Sequence, residues 1–284
     1  MRRATLLSFV LLLPLIAGPA SGARRECLGK VPTVTGTARA DTLTGTEGDD
    51  VIAGGDGNDR IEAGGGNDLI CGEDGNDTLR GGLGNDTMDG AKARDTFDGG
   101  PGVDTVSYAD RTGPVIEEID RDKGDDGDPT LREGQGEGDT ILPSVENIIG
   151  GAGSDNMAGD GDANVFRGGG GIDSFAGAGG NDVAIGGASA DSLRGDEGAD
   201  RLVGGGGEGD LLSGGGGPDT IIGGGGAKDR ADGGPGSDAC DAEMEKACEG
   251  DPQPEPTPSV PPTPRPSPTA TVSPSPAAPR SAPR

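Results

Sequence analysis

The chain has 284 residues, 60 of them glycine, with 2% aromatic residues, no tryptophan and a formal net charge of −27. So few large apolar side chains exclude a conventional thick core, and so strong an acidity argues against nucleic acids and anionic membranes as partners. Cations, basic proteins or plain solubility remain.

Residues 1–23 read as a secretory signal peptide. Arg2 and Arg3 supply the positive end, a short apolar stretch runs from Leu6 to Ala17 with Pro14 inside it, and Ser21-Gly22-Ala23 makes a small-residue cleavage site. The apolar stretch is too short to span a bilayer comfortably, so no membrane span is expected after cleavage. Cys27 follows Arg25 and Glu26 rather than small apolar residues, which argues against a lipoprotein anchor. The expected location is therefore outside the cell, either free or associated with the cell wall.

Residues 24–35 form a lead-in that carries Cys27. Three further cysteines follow, Cys71, Cys240 and Cys248. An even count in a secreted chain predicts disulfides. Four cysteines allow three connectivities, and proximity favours Cys27–Cys71 and Cys240–Cys248 as staples at the two ends of the repeats. With no histidine in the chain and little basic charge nearby, nothing activates these thiols for chemistry.

From Gly36 to Ser107 the chain divides without a gap into nine-residue units: GTARADTLT, GTEGDDVIA, GGDGNDRIE, AGGGNDLIC, GEDGNDTLR, GGLGNDTMD, GAKARDTFD and GGPGVDTVS. The sixth position is always aspartate: Asp41, Asp50, Asp59, Asp68, Asp77, Asp86, Asp95 and Asp104. The eighth is always apolar: Leu43, Ile52, Ile61, Ile70, Leu79, Met88, Phe97 and Val106. A fixed self-similar period is the signature of a solenoid. One unit buries one apolar side chain, worth about 1.5–3 kcal/mol, whereas ordering nine backbone residues costs on the order of 9–18 kcal/mol. Each unit also sets a carboxylate close to its neighbours' carboxylates. A counter-ion has to supply the difference. Carboxylates, backbone carbonyls and the position-five amides of Asn58, Asn67, Asn76 and Asn85 make an all-oxygen donor set. Such a set suits calcium, which accepts six to eight oxygens in flexible geometry, better than magnesium, zinc or copper.

These units resemble the RTX (hemolysin-type) calcium-binding nonapeptide GGxGxDxUx, in which U is apolar. The resemblance implies an all-β fold, a right-handed parallel β-roll or β-solenoid of nonapeptide repeats. In it the first six residues of each unit turn around Ca2+ and the last three form a strand. Two units make one 18-residue turn, and each ion sits between turns two units apart, held by the position-six aspartate and turn carbonyls. The family's better-known members leave the cell by a C-terminal secretion signal, and the N-terminal signal here departs from that pattern. Arg39 and Ala93 replace the position-four glycine in their units, so GTARADTLT is expected to be a cap with a weakened site. Lys92 and Arg94 are expected to weaken binding in the seventh unit.

Residues 108–149 break the period and form an acidic connecting insert. Its end, GEGDTILPSVENIIGG, resembles segments that precede RTX blocks, with Val145, Ile148 and Ile149 starting the next roll. Within the insert Asp122, Asp126, Gly127 and Glu133 take positions one, five, six and twelve of an EF-hand-like loop. Gly124 and Pro129 spoil that pattern, and the stretch reads as an acidic surface loop.

The period resumes at Gly150 in a looser block reaching 249 with its C-terminal cap. Its position-six acids are Asp155, Asp173, Asp182, Asp191, Asp200, Asp219 and Asp238, and Asn164 replaces one. The units starting at Gly204 and Gly223 carry one extra residue; Asp210–Leu212 and Asp229–Ala231 keep the D-x-U spacing, so the extra residue is expected to bulge the turn. This block is expected to bind fewer ions than its unit count, and both one continuous roll and two separate rolls remain open. Residues 250–284 are a Pro/Ser/Thr-rich tail expected to be disordered.

Three functions follow. The first is a secreted calcium-ion-binding protein that folds on meeting calcium. The second is a structural or adhesive surface spacer, stiffened by calcium, with a cell-surface or polysaccharide partner. The third is an enzyme, for which the repeats leave no catalytic domain and the chain no histidine base. The expectation is that the protein is not an enzyme.

Overall fold

A computed structural model describes residues 26–119, 138–246 and 248. The expected signal peptide, the EF-hand-like stretch between Asp122 and Glu133, and the Pro-rich tail lie outside these residues. Among the described residues every regular element is a strand, and no helix is long and apolar enough to cross a membrane.

The x-U-x tripeptides that follow each aspartate set the strands. With successive side chains on opposite faces, the single apolar residue of each unit points inward and its neighbours point out. Ile61 and Leu79, the second residues of Arg60–Gly65 and Thr78–Leu83, are fully buried. The glycines that follow leave no side chain to interrupt the stack. Nine residues later the chain has turned back along the opposite face, and after eighteen it lies in register on itself, with Leu69 beside Val51 and Thr78 beside Arg60. All strand pairs are parallel, and the result is a β-solenoid.

One face is an unbroken eleven-stranded sheet. It runs through Val34–Thr35, Val51–Asp56, Leu69–Asp74, Thr87–Asp89, Thr105–Ser107, Asn147–Ile149, Val165–Gly169, Val183–Ala188, Arg201–Gly206, Thr220–Gly225 and Ala239–Asp241. The other face is two sheets. Five strands (Thr42–Thr44, Arg60–Gly65, Thr78–Leu83, Thr96–Asp98 and Thr140–Ile141) form one. Seven (Ile116–Glu118, Asn156–Ala158, Ser174–Ala176, Ser192–Glu197, Leu211–Gly216, Arg230–Asp232 and Met244–Lys246) form the other. Between the faces lies a thin core, a double file of inward residues from Ile52 and Ile61 to Ile221 and Cys240. Phe166 and Phe175 stack across it with centroids 4.0 Å apart.

The long sheet decides between one roll and two. Thr105–Ser107 pairs directly with Asn147–Ile149, Val106 opposite Ile148, and the latter pairs with Val165–Gly169. The two repeat blocks are thus turns of one continuous roll, and the insert loops out of it. On the opposite face the insert supplies two strands where the period needs one. Ile116–Glu118 skips ahead to pair with Asn156–Ala158, and Thr140–Ile141 comes back to pair with Thr96–Asp98. A single bridge, Ile119 to Ile141, connects the two, which is why this face splits. Tyr108 fills the junction. It is buried, lies edge-on to Phe97 at 6.5 Å, and donates its hydroxyl to Asp139 Oδ2 at 2.9 Å. Arg111 lies over its ring and pairs with Asp89 at 3.2 Å.

Both ends are stapled. Cys27 is bonded to Cys71 and Cys240 to Cys248, the pairing that proximity favoured. The ten-residue units beginning at Gly204 and Gly223 keep strand register, Leu193 opposite Leu212 and Leu212 opposite Ala231. Their extra residue is absorbed in the turn before the strand, where Lys228 and Glu208 of successive turns pair at 3.0 Å.

Candidate functional site

The turns along the two edges of the roll carry the chemistry. Each position-six aspartate immediately precedes a strand, and its backbone N–H points along the roll toward the next turn. There it donates to Oδ1 of the aspartate eighteen residues on. Asp41 N–H to Asp59 measures 2.7 Å, Asp50 to Asp68 2.7 Å, and Asp86 to Asp104 2.8 Å. The pattern resumes in the second block with Asp155 to Asp173 and Asp182 to Asp200, both 2.8 Å. Two ladders of buried carboxylates result, one on each edge.

The second oxygen is different. Oδ2 of Asp59, Asp68, Asp77, Asp86 and Asp104 is buried and accepts no hydrogen bond. So is Oδ2 of Asp173, Asp182, Asp191, Asp200, Asp210, Asp219, Asp229 and Asp238. Most of these oxygens are tucked over the position-one glycine of their own unit. A methyl group added to Gly168 would lie 2.1 Å from Asp173 Oδ2 and 2.6 Å from the Gly186 carbonyl oxygen one turn on. The bare glycine thus leaves room where a carboxylate oxygen and a carbonyl oxygen converge. A buried ionised oxygen without a partner costs several kcal/mol, and its neighbours in the ladder carry the same charge.

The RTX calcium-binding nonapeptide repeat model, built of four copies of the repeat, matches residues 35–70, 72–106, 144–175, 176–211 and 205–240. The chain belongs to the RTX calcium-binding nonapeptide repeat family. A comparison with curated proteins finds no match.

The RTX turns fit a hard cation. The orphaned oxygens are all carboxylate, the atoms beside them are carbonyls, and calcium takes such donors in number. Among the described residues no three His, Cys, Asp or Glu side chains converge on one point. Backbone carbonyls must therefore complete any coordination shell, with one or two carboxylates each. Burial is also the first cause of the carboxyls' raised pKa values. Asp68, Asp77, Asp173 and Asp219 are pushed up to about 6, and Asp104, Asp182 and Asp191 up to about 7.

The structure places Asp41 and Asp50 on the ladders but satisfies them otherwise. Thr37 donates both its N–H and its hydroxyl to Asp41 Oδ2, each at 2.7 Å, and Thr46 does the same for Asp50 at 2.7 and 2.8 Å. These hydroxyls hold both carboxyls below the usual range. In the opening unit Asp41 Oδ2 is thus already satisfied by Thr37. Asp155 Oδ2 accepts from the Gly151 N–H at 2.8 Å, and Asn164 Oδ1 from the Asp160 N–H at 3.1 Å. Asp95 stands in its ladder, accepting from Asp77 and donating to Asp139.

The position-five asparagines need a correction. They do not face the buried oxygens as an all-oxygen donor set would require. Asn58, Asn67, Asn76 and Asn85 are exposed on the outer rim. There Asn58 and Asn67 accept the N–H of Asn76 and Asn85 at 3.1 and 2.9 Å. They stitch turns together from outside.

Other ladder members escaped the sequence reading. Asp139 accepts the Asp95 N–H at 2.8 Å, Glu146 the Asp104 N–H at 2.6 Å, and Glu243 the Asp229 N–H at 3.0 Å. Asp210 and Asp229, which the sequence marked by their D-x-U spacing but not as site residues, accept from Asp191 and Asp210 at a spacing of nineteen. An acid two residues before an apolar side chain marks Asp139 before Ile141 and Glu146 before Ile148. Glu243, two residues before Glu245, carries no such mark.

Proposed function

We propose that this chain is a secreted calcium-ion-binding protein whose RTX repeats take up Ca2+ between turns and fold on binding, and that it is not an enzyme. The observation that carries the reading is the row of buried, unpartnered Oδ2 atoms, those of Asp59, Asp86, Asp173, Asp182, Asp200, Asp210 and Asp219 each beside a glycine and a carbonyl of the next turn. A calcium ion supplies positive charge and accepts oxygen donors in a flexible shell. Asp59, Asp77 and Asp173 with their ladder neighbours would hold it, together with turn carbonyls.

The chain's own residues account for the coupling to folding. Each Oδ1 is already committed to a backbone N–H of the neighbouring turn, so the carboxylate is aimed before an ion arrives. Each glycine at position one keeps the space beside Oδ2 open. The thin core gives little apolar burial per turn, so the ion-free stack has few means to offset buried like charges. Binding free energy then becomes folding free energy. The leader-like residues 1–23 and the paired cysteines support export to an oxidising, calcium-rich space.

Far-UV circular dichroism of the chain from Arg24 onward tests this, with calcium titrated against EDTA and against magnesium. A cooperative coil-to-β transition is expected at roughly 10⁻⁴–10⁻³ M calcium, the range of extracellular modules, and none with magnesium. Persistent coil at saturating calcium refutes the folding mechanism.

A further inference from the structure

Position two of each unit has two conformations, and they sort with the state of the carboxylate. In most units this residue is left-handed: φ is 113° at Gly55 and Gly64, 112° at Gly82, 102° at Gly100 and Gly169, and 120° at Gly187. Even side chains accept it, at Glu73 (76°), Ala91 (68°), Ala178 (70°) and Asp196 (69°). In such turns the position-two N–H bonds elsewhere: Gly82 donates to the Gly99 carbonyl at 2.8 Å, Gly215 to the Gly233 carbonyl at 3.0 Å, Ala178 to Asp196 Oδ2 at 3.3 Å and Ala91 to Asp89 Oδ1 at 2.8 Å. It does not reach the unit's own carboxylate.

Four units differ. Thr37, Thr46, Gly151 and Asp160 are absent from the left-handed residues among those described. In these same four units the position-two N–H turns inward and donates to the side-chain oxygen at position six, at 2.7, 2.7, 2.8 and 3.1 Å. The first form is an open turn and the second a closed one. Sequence explains part of the choice. Threonine is β-branched and disfavours the left-handed region. Asp160 bonds its own side chain to the Asp162 N–H at 2.8 Å. At Gly151 the neighbouring Ala152 N–H is held by the Arg111 carbonyl of the insert at 2.8 Å.

Their placement is regular. The closed turns are the first two units of each block, one on each edge of the roll, and every later unit is open.

We infer that the conformation at position two decides which turns take up a cation, so that closed turns at Thr37, Thr46, Gly151 and Asp160 are calcium-independent caps. Calcium uptake then falls into two runs, one beginning at Asp59 and Asp68 and the other at Asp173 and Asp182, within one continuous roll. This rests on the calcium-binding reading above and adds to it that Asp41, Asp50 and Asp155 hold no ion although they match the motif. It also predicts that restoring the missing acid at Asn164 restores nothing, because the Asp160 N–H already occupies that oxygen.

The test is the number of calcium ions bound at saturation, measured by equilibrium dialysis on the chain from Arg24 onward, with circular dichroism confirming the fold. Asn164→Asp is expected to leave the count unchanged. Thr37→Gly with Thr46→Gly frees both turns to open and is expected to add about one ion for each turn opened. An extra ion on N164D, or an unchanged count on the folded double glycine variant, overturns the assignment while leaving calcium binding intact. A wild-type chain that binds no calcium overturns both.

Discussion

Removing one oxygen atom at the junction of the two blocks tests whether the broken period is part of the roll. Tyr108 is 1% exposed and donates its hydroxyl to Asp139 Oδ2 at 2.9 Å. Tyr108→Phe keeps the ring, its edge contact with Phe97 and the Arg111 guanidinium above it. Only the hydrogen bond goes. A buried bond to a charged acceptor contributes about 1.5–3 kcal/mol. At a urea slope of about 2 kcal/mol/M, the unfolding midpoint in saturating calcium should fall by about 1 M. The slope itself should not change, because the same surface is exposed. Tyr108→Ala removes the ring too and should cost about 3–5 kcal/mol through the cavity left beside Phe97. Should Y108F unfold within about 0.2 M of wild type, the hydroxyl does not hold Asp139, and the insert is not fastened to the ladder as described.

Acid should substitute for calcium. The raised carboxyls favour the ion-free roll fully below their ordinary value of 3.8, and that stabilisation is lost as pH rises through about 6 to 7. In EDTA the β signal should therefore strengthen from pH 8 to pH 5, and a coil unchanged at pH 5 contradicts it. Reducing the N-terminal staple should matter more than reducing the C-terminal one. Cys27–Cys71 closes 44 residues against 8 for Cys240–Cys248, about 4 against about 2.5 kcal/mol by loop entropy; urea midpoints of the two single Cys→Ser variants should rank accordingly. Gly81→Ala puts a methyl 2.1 Å from Asp86 Oδ2 and 2.7 Å from the Gly99 carbonyl. It should destabilise the calcium-loaded roll by about 1–3 kcal/mol. Gly161→Ala meets nothing within 4 Å and should change thermal stability by less than about 0.5 kcal/mol.

Much of the fold was legible because the repeat fixes two things at once. An apolar residue every nine positions, two after an aspartate, can be buried only if each unit is a half-turn. That places Ile52, Ile61, Ile70 and Leu79 in the core and their aspartates on the edges. The break at Tyr108 was legible, but not how the roll continues across it. Strand pairing across 42 residues depends on which segment completes the ladder, and local sequence does not carry that. Hence neither the continuity of the long sheet nor the exchange between Ile116–Glu118 and Thr140–Ile141 was read. The asparagines were misplaced because a donor list gives chemistry without direction. Position five sits at the outer corner of the turn, where its amide meets the next turn's N–H. Thr37 and Thr46 look like harmless replacements for glycine, yet they alter where the N–H points and add a hydroxyl.

Repetition carries a hazard that the ten-residue units offset. Where every turn resembles its neighbours, a chain can slide along itself by one coil and lose little, so many misaligned stacks compete with the correct one. The units at Gly204 and Gly223 lie on successive coils of the same edge, each with one residue more than the coils before them, and Glu208 meets Lys228 across the added length. Sliding by one coil would set a longer loop against a shorter one and part that ion pair. Length here works as a tooth and a notch, giving a nearly periodic polymer one alignment to settle into.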